Sequence, residues 1–286
     1  MTDGSIVFSN ESGRFFKSNE KFLKRYVANQ LSKEDSEFLL EHSFAYQNEN
    51  STNLLSYAWQ WAARNQINEE LSYIILVPTL RCDLSCSYCQ VSRASINAKN
   101  FDWNSETEKN VIKFLDTLTT KKIKIEFQGG EPTLRIDVLK RIRDFCRSRF
   151  ESSTFVICTN LQLLNNDLLD FYSDEDTFIS TSLDGDVLTH TKNRTNNVDL
   201  TKNFYSNLDY VVRNFGLERV SALPTIDGSS INNNYDLIRK YSEIGFKSIY
   251  FRLINFHGFA RKNFDSNKVF KDKYDWLQEL LENINK

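Results

Sequence analysis

The sequence of 286 residues has little of what a nucleic-acid-binding or membrane protein needs. Its 36 basic and 38 acidic side chains give a net charge of −2, so no electrostatic attraction to phosphates or to a lipid surface is expected. No apolar run approaches the roughly 20 residues of a membrane span. The first five residues are not a basic region followed by an apolar stretch, so no secretory signal is expected. We therefore expect neither nucleic acid nor a membrane as a partner.

Proline, cysteine and glycine are also scarce, at three, five and nine residues, against 22 Phe and 12 Tyr. We interpret the aromatic side chains as core residues. Three of the five cysteines are clustered, which suits a reducing compartment better than an oxidising one, so a cytoplasmic protein is expected. The chain is long enough for one barrel-like α/β domain with a small additional domain.

The clustered cysteines, Cys82, Cys86 and Cys89, have the spacing C-x3-C-x2-C and follow the apolar run 73–77. Three thiols are one ligand short of a closed zinc site or a fully ligated iron–sulfur cluster, so one metal position is left open. The spacing alone does not separate iron–sulfur from zinc, and buried cysteines without a metal are a further alternative. A fourth zinc ligand from the His and Cys residues would be one of His42, His190, His257, Cys146 or Cys158.

Residues 1–70 differ in pattern from the rest and predict a small N-terminal α+β domain. Two short segments, 6–10 and 13–16, predict a hairpin. Helices are expected over 19–29, 32–42 and 53–65, and Ser32 with Asp35 has the spacing of a helix N-terminus.

Residues 71–286 alternate between strand and helix patterns and predict a parallel sheet with right-handed crossovers. The expected strands are 73–78, 123–128, 154–159, 177–183, 220–226 and 248–254. The expected helices are 104–120, 135–150, 165–172, 199–215, 231–244 and 270–285, and the first of them begins with a capping box at 105–108. Six units are two short of a closed barrel. The fold class is therefore α/β, with an open partial (βα)6 TIM-like barrel.

Polar and glycine residues follow successive strands at the end where such sheets bind ligands. Gln128-Gly129-Gly130-Glu131-Pro132 follows the second strand, and the two glycines are interpreted as letting a ligand approach the backbone. Thr159-Asn160 ends the third strand, and Ser182-Leu183-Asp184-Gly185 follows the fourth, with His190 and Arg194 downstream. The sixth strand carries Arg252 and precedes Gly258.

In this order the motifs resemble those of the radical S-adenosylmethionine (SAM) superfamily, over residues 73 to about 260. The resemblance implies that Cys82, Cys86 and Cys89 hold a [4Fe–4S] cluster whose fourth iron binds SAM. It also implies an adenine contact for Tyr88 and binding of the methionine amino group by Gly129, Gly130 and Glu131. Ser182 would contact the ribose or the carboxylate, and Arg194 would be the basic partner of the carboxylate. Asn160 stands at the family's Thr-Asn-Gly position, with Leu161 in place of the glycine.

Within the superfamily the chain most resembles peptide and protein maturases, in particular those of His-Xaa-Ser systems. The resemblance implies an oxidoreductase that abstracts hydrogen from a peptide or small protein and takes its electron from an external one-electron reductant. Such maturases continue into a domain with auxiliary clusters. Because no cysteine follows Cys158, the sequence is expected to be either a fragment or a shorter relative that has lost that domain.

No catalytic residue is assigned from the sequence. Cys158 is a candidate for quenching the substrate radical, although packing is the ordinary role of such a cysteine, and His190 and His257 are interpreted as loop hydrogen-bonding residues. The competing hypothesis is a non-catalytic iron–sulfur or zinc module that senses redox state and docks a peptide partner. Iron and sulfide content, followed by SAM cleavage after reduction, separates the two.

Overall fold

The computed structural model of the protein describes residues 5–10, 13–64, 70–226 and 234–264. The chain divides into two compact units, Met1–Glu69 and Glu70–Lys286. The predicted helix at 270–285 and the start of the one at 231–244 lie outside the described residues. In the described ranges, no helix has both the length and the apolar character that crossing a bilayer requires.

The first unit is a hairpin followed by helices, as its pattern predicts. The antiparallel strands are β1 (Ile6–Ser9) and β2 (Phe15–Ser18), and the helices are α1 (Glu20–Val27), α2 (Lys33–Glu41) and α3 (Thr52–Arg64). A capping box between Ser32 and Asp35 begins α2, which confirms the predicted start. The core of this unit is aromatic and contains Phe8, Phe16, Phe22, Phe38 and Phe44.

The second unit is built on a parallel sheet with the strand order β3-β6-β7-β8-β9. These strands are β3 (Tyr73–Leu76), β6 (Lys122–Phe127), β7 (Ser152–Cys158), β8 (Thr177–Ser182) and β9 (Val220–Leu223). A short parallel pair, β4 (Arg81–Cys82) and β5 (Ala94–Ser95), carries the first cysteine of the cluster.

The predicted fifth and sixth strands are shorter than their patterns suggest. The fifth breaks at Pro224, which has no N–H to donate to a ladder, and continues as β10 (Thr225–Ile226). The sixth is reduced to β11 (Arg252–Leu253), which pairs in parallel with β10. Among the described residues β3 pairs within the sheet with β6 alone and β11 pairs with β10 alone, so the barrel is open between β3 and β11.

Helices alternate with the strands of this unit. They are α4 (Ser105–Asp116), α5 (Ile136–Arg149), α6 (Asn166–Ser173), α7 (Val187–His190), α8 (Val198–Phe215), α9 (Asn234–Ile244) and α10 (Ala260–Asn263). Single turns of 3₁₀-helix at Pro132–Arg135 and Leu217–Arg219 precede α5 and β9, and α7 runs into a π-helical turn at Thr191–Thr195. The predicted capping box of α4 is wrong by one residue, because Asn104 accepts from the Thr107 N–H and Ser105 is already helical.

Alternation along the strands separates the core from the open face. In β6 the side chains of Ile123, Ile125 and Phe127 are buried among the helices, and those of Lys124 and Glu126 are not. In β8 the buried Thr177, Ile179 and Thr181 alternate with Phe178, Ser180 and Ser182. The open face is therefore polar near the carboxyl ends of the strands, where the predicted site residues lie.

Candidate functional site

A cavity lies at the carboxyl ends of the parallel strands, and every site residue that the sequence predicts lines it. These residues are Cys82, Cys86, Tyr88, Cys89, Gly129, Gly130, Glu131, Asn160, Ser182 and Arg194. They come from loops after four different strands, which explains how residues more than a hundred positions apart meet. The lining also includes Cys158, Ser180 and Arg252, to which the sequence assigns no binding role.

The three thiols lie in one loop and are half-buried. None of them forms a disulfide. The backbone N–H of Leu84 donates to Cys82 Sγ at 3.4 Å. Burial raises the pKa of the Cys82 thiol to about 12, and burial also raises the pKa of Cys86, against the opposing charge of Arg194. Without a metal these two thiols are protonated at neutral pH.

The glycines after β6 have a structural role that the sequence analysis did not foresee. A Cβ on Gly129 would lie 2.3 Å from the Thr79 carbonyl oxygen, and one on Gly130 would lie 2.1 Å from that of Arg81. The N–H of Gly130 donates to Thr79 O at 3.0 Å, and that of Glu131 donates to Arg81 O at 2.7 Å. The absent side chains therefore make room for the strand that leads into the cysteine loop, and the ligand contact that the sequence suggests for these two glycines stays a prediction.

Glu131 is fully buried and already engaged by the protein. Its Oε1 accepts from Thr133 Oγ1 at 2.6 Å and Thr133 N at 3.2 Å, and its Oε2 accepts from Asn160 N at 2.8 Å. Burial raises the pKa of this carboxyl to about 7, although the Asn160 N–H opposes the shift. The carboxyl group ties the end of β6 to the end of β7 and lines the cavity from there.

Asn160 and its neighbour form the third side of the cavity. The Asn160 amide donates to Asp83 Oδ1 at 2.6 Å, which connects β7 to the cysteine loop. Leu161 follows with φ +54 and is fully buried. The backbone thus keeps the left-handed conformation that a glycine would adopt easily, although a leucine stands there.

Tyr88, Asp184 and Arg194 form a buried polar group behind the loop. The Tyr88 hydroxyl donates to Asp184 Oδ2, and Arg194 Nη1 donates to the Tyr88 oxygen at 2.9 Å. Burial raises the pKa of Tyr88 well above its ordinary value, so the hydroxyl keeps its proton. Arg194 is only 9% exposed, and it reaches the cavity from the π-helical turn after α7.

A segment after β11 holds the cysteine loop from the other side, and the sequence analysis did not foresee it. Gly258 has φ +55, and a Cβ there would lie 2.6–2.7 Å from the carbonyl oxygens of Gln90 and Cys89. The N–H of Phe259 donates to Cys89 O at 2.8 Å, and Asn263 Nδ2 donates to Ser87 O at 2.7 Å. The isolated glycine after the last strand was the available signal.

The remaining candidates fall into different environments. Cys146 is a core residue, and His257 is exposed. His190 is buried and stacks on Phe204 at 4.2 Å, and neither ring nitrogen has a hydrogen-bond partner among the described residues. The interpretation of His190 as a loop hydrogen-bonding residue is therefore wrong. Cys158 faces the cavity and donates to Glu126 Oε1 at 3.3 Å.

Residues 76–266 match the sequence model of the Radical SAM superfamily. Among curated proteins, an uncharacterized protein of Methanocaldococcus jannaschii is 29% identical over 191 residues, which are 64% of this chain and 63% of that protein. One of Methanothermobacter thermautotrophicus is 26% identical over 179 residues, or 60% of this chain and 64% of that protein. The chain therefore spans somewhat less than two thirds of the length of these relatives.

Solved structures show the same fold at low sequence identity. The anSMEcpe structure with bound AdoMet has a TM-score of 0.60 at 19% identity and covers 74% of this chain and 57% of its own. The structure of the same protein with AdoMet and the Cp18Cys peptide has a TM-score of 0.59 at 17% identity. The match covers 74% of this chain and 58% of that one. Coproporphyrinogen III oxidase from Escherichia coli, described as a radical SAM enzyme, has a TM-score of 0.54 at 14% identity. The match covers 77% of this chain and 54% of that one.

The buried carboxyl of Glu131 predicts a pH dependence of stability. Its folded pKa of about 7 exceeds the ordinary 4.5, so the folded metal-free protein binds more protons than the unfolded chain between these values. Its stability should fall by about 3 kcal/mol as pH rises through this window. Urea unfolding should show this loss in the wild type and not in Glu131→Gln.

The control is Glu108→Gln, since the hydrogen bond from Arg141 lowers the pKa of Glu108. The contribution of Glu108 to the free energy of unfolding should therefore have the opposite sign and increase as the pH is raised from acidic values. A difference between wild type and Glu131→Gln that stays constant from pH 4.5 to 7.5 would contradict the assignment of a buried, protonated carboxyl.

Proposed function

The chain belongs to the radical SAM superfamily, and we propose that it cleaves SAM reductively at a [4Fe–4S] cluster and abstracts hydrogen from a peptide or small protein. Members of this superfamily are enzymes. The observation that carries the proposal is that one cavity brings together the cysteine loop and the predicted SAM contacts from β6, β7, β8 and the turn after α7. Because the chain spans only part of its relatives, the activity of the whole protein is included in this proposal.

The thiols suit a cluster better than a single zinc ion. In the described ranges, no three His, Cys, Asp or Glu side chains are arranged to hold one metal ion. Zinc needs its thiolates to converge on one atom, whereas each cysteine of a [4Fe–4S] cluster binds its own iron. We therefore assign three irons to Cys82, Cys86 and Cys89, and leave the fourth iron for SAM.

The polar groups of the cavity suit the two ends of an amino acid. Glu131 comes from the loop after β6 and Arg194 from the turn after α7, so the two stand on different walls. We assign the methionine ammonium to the Gly129–Glu131 segment and the carboxylate to Arg194 and Ser182. Tyr88 and Asn160 complete the set of predicted contacts.

When bound, the cluster and SAM supply one-electron chemistry that yields methionine and a 5′-deoxyadenosyl radical able to take a substrate hydrogen. The chain itself positions these groups. The Arg194–Tyr88–Asp184 group fixes the loop on one side, and the segment around Gly258 fixes it on the other. These contacts hold the loop in place. An external one-electron reductant completes the reaction.

Two observations support a peptide as substrate. The anSMEcpe structure has been solved with bound peptides, and it shares the fold of this chain. In the described part of the chain β3 and β11 do not pair, so the barrel is open there, as the entry of an extended chain would require. We further propose that the chain belongs to the His-Xaa-Ser maturase branch and that it is cytoplasmic, where its thiols stay reduced. Its domains are proposed to be residues 1–70 and 71–286.

Reconstitution tests the cluster directly. Protein loaded anaerobically should hold close to four irons and four sulfides per chain, and Cys82→Ala, Cys86→Ala and Cys89→Ala should each lose most of both, because each removes one of three thiolate ligands. Cys146→Ala, which removes a core thiol, is the control and should load normally. After dithionite reduction the wild type should release 5′-deoxyadenosine from SAM. Stoichiometric zinc without sulfide would refute the proposal.

Gly258→Ala tests whether the segment after β11 holds the loop. The new Cβ would collide with the carbonyl oxygens of Cys89 and Gln90, so the third cysteine should be displaced. We expect the loaded variant to lose iron at least severalfold faster than the wild type. The visible absorbance of the cluster measures this loss. Gly13→Ala is the control, since Gly13 of the first unit also has a positive φ, at +79, but a Cβ there meets nothing within 4 Å. Equal rates in the two variants would show that the contact does not support the site.

A further inference from the structure

Arg252 is a cation of the cavity that none of the proposed contacts uses. It lies in β11, where it is opposite Thr225 of β10, and its side chain lines the cavity together with Leu223 and Ser182. It is separated from the glycine segment after β6 by β7, β8 and the β9–β10 strand. Arg252 therefore comes from a different strand of the cavity wall than the predicted ammonium contact does.

The guanidinium of Arg252 is poorly satisfied by the protein. Its Nε is buried without a hydrogen-bond partner, and Nη2 makes only a marginal contact of 3.4 Å with Thr225 Oγ1. In the described part of the chain, no carboxylate forms an ion pair with it. By contrast, arginines such as Arg81, Arg143 and Arg147 pair with aspartates at 3.0 Å or less.

A half-buried cation with unused donors is costly unless something else satisfies it. Leaving a buried charged donor unpaired costs more than the loss of an ordinary hydrogen bond. The planar fork of a guanidinium matches the two oxygens of a carboxylate, and the exposed side of this group is the cavity. The missing partner is therefore expected to come from a ligand in the cavity.

We propose that Arg252 is a receptor for a carboxylate group bound in the cavity. This inference rests on the proposed function, because both proposed ligands carry such a group. One source is the methionine carboxylate of SAM. The other is a substrate carboxylate, either a peptide C-terminus or an acidic side chain. Arg194 is already held by Tyr88 beside Asp184, so the cavity offers a second and separate cation.

The experiment compares Arg252→Gln and Arg252→Lys with Arg213→Gln, which removes an exposed arginine of α8. Protein with the reconstituted cluster is titrated with SAM and followed by its spectral change. In a second arm, with SAM saturating and no reductant, ligand-observed NMR measures binding of N-acetylglycine and of its neutral analogue N-acetylglycinamide. Iron content and the melting temperature are recorded for every variant.

If Arg252 binds the methionine carboxylate of SAM, Arg252→Gln should weaken SAM binding about tenfold. If Arg252 binds a substrate carboxylate, Arg252→Gln should leave SAM binding unchanged and weaken the affinity for N-acetylglycine about tenfold. Binding of N-acetylglycinamide should not change. Arg252→Lys should keep part of the affinity in either arm, because it retains the charge without the fork. Since Arg252 is unpaired, Arg252→Gln should melt no lower than Arg213→Gln in the unliganded protein.

The inference is overturned if Arg252→Gln and Arg213→Gln have equal affinity for SAM and also equal affinity for N-acetylglycine. It is overturned as well if their SAM affinities are equal and neither variant binds N-acetylglycine. This failure is distinct from a failure of the proposed function. If the wild type loads no cluster or releases no 5′-deoxyadenosine, the proposed function fails. If both proteins cleave SAM and bind both probes equally, only the role of Arg252 is lost.

Discussion

The close contact between two stretches of backbone is the constraint on which the site depends. The carbonyl oxygens of Thr79 and Arg81 occupy the space where side chains would stand on Gly129 and Gly130. This contact fixes the path of the chain just before Cys82, and the N–H groups of Gly130 and Glu131 hydrogen-bond to the same carbonyls. The chain that enters the cysteine loop is thus placed by the sheet itself.

Buried carboxyl groups reinforce the sheet beside the site and connect the cysteine loop to it. The Glu131 carboxyl connects the ends of β6 and β7, and Asp184 receives the hydroxyl of Tyr88 from the cysteine loop. Both groups are fully enclosed, where each hydrogen bond is stronger and each missing partner more costly than at the surface. The cavity therefore has walls that are specified by polar contacts as well as by packing, which is what precise positioning of a reactive group requires.

The long elements could be predicted from the sequence because their patterns are strong. The strands that became β6, β7 and β8 alternate or run apolar over six or seven residues, and the motifs after them identified one edge of the sheet. The fifth and sixth strands were harder, since a proline breaks one and only Arg252–Leu253 of the other pairs. The roles of Gly129, Gly130 and Gly258 depend on which backbone lies against them, and no local pattern carries that information.

Leu161 shows that a recognition motif is defined by backbone geometry as well as by residue identity. The left-handed conformation costs a leucine about 1–2 kcal/mol relative to a relaxed one, but its side chain is wholly enclosed in the core, which returns a comparable amount. Strain and burial thus offset each other at this position, and the turn keeps its shape without a glycine. A motif search that insists on glycine after Thr159-Asn160 would pass over chains of this kind, whereas a search by dihedral angle would find them.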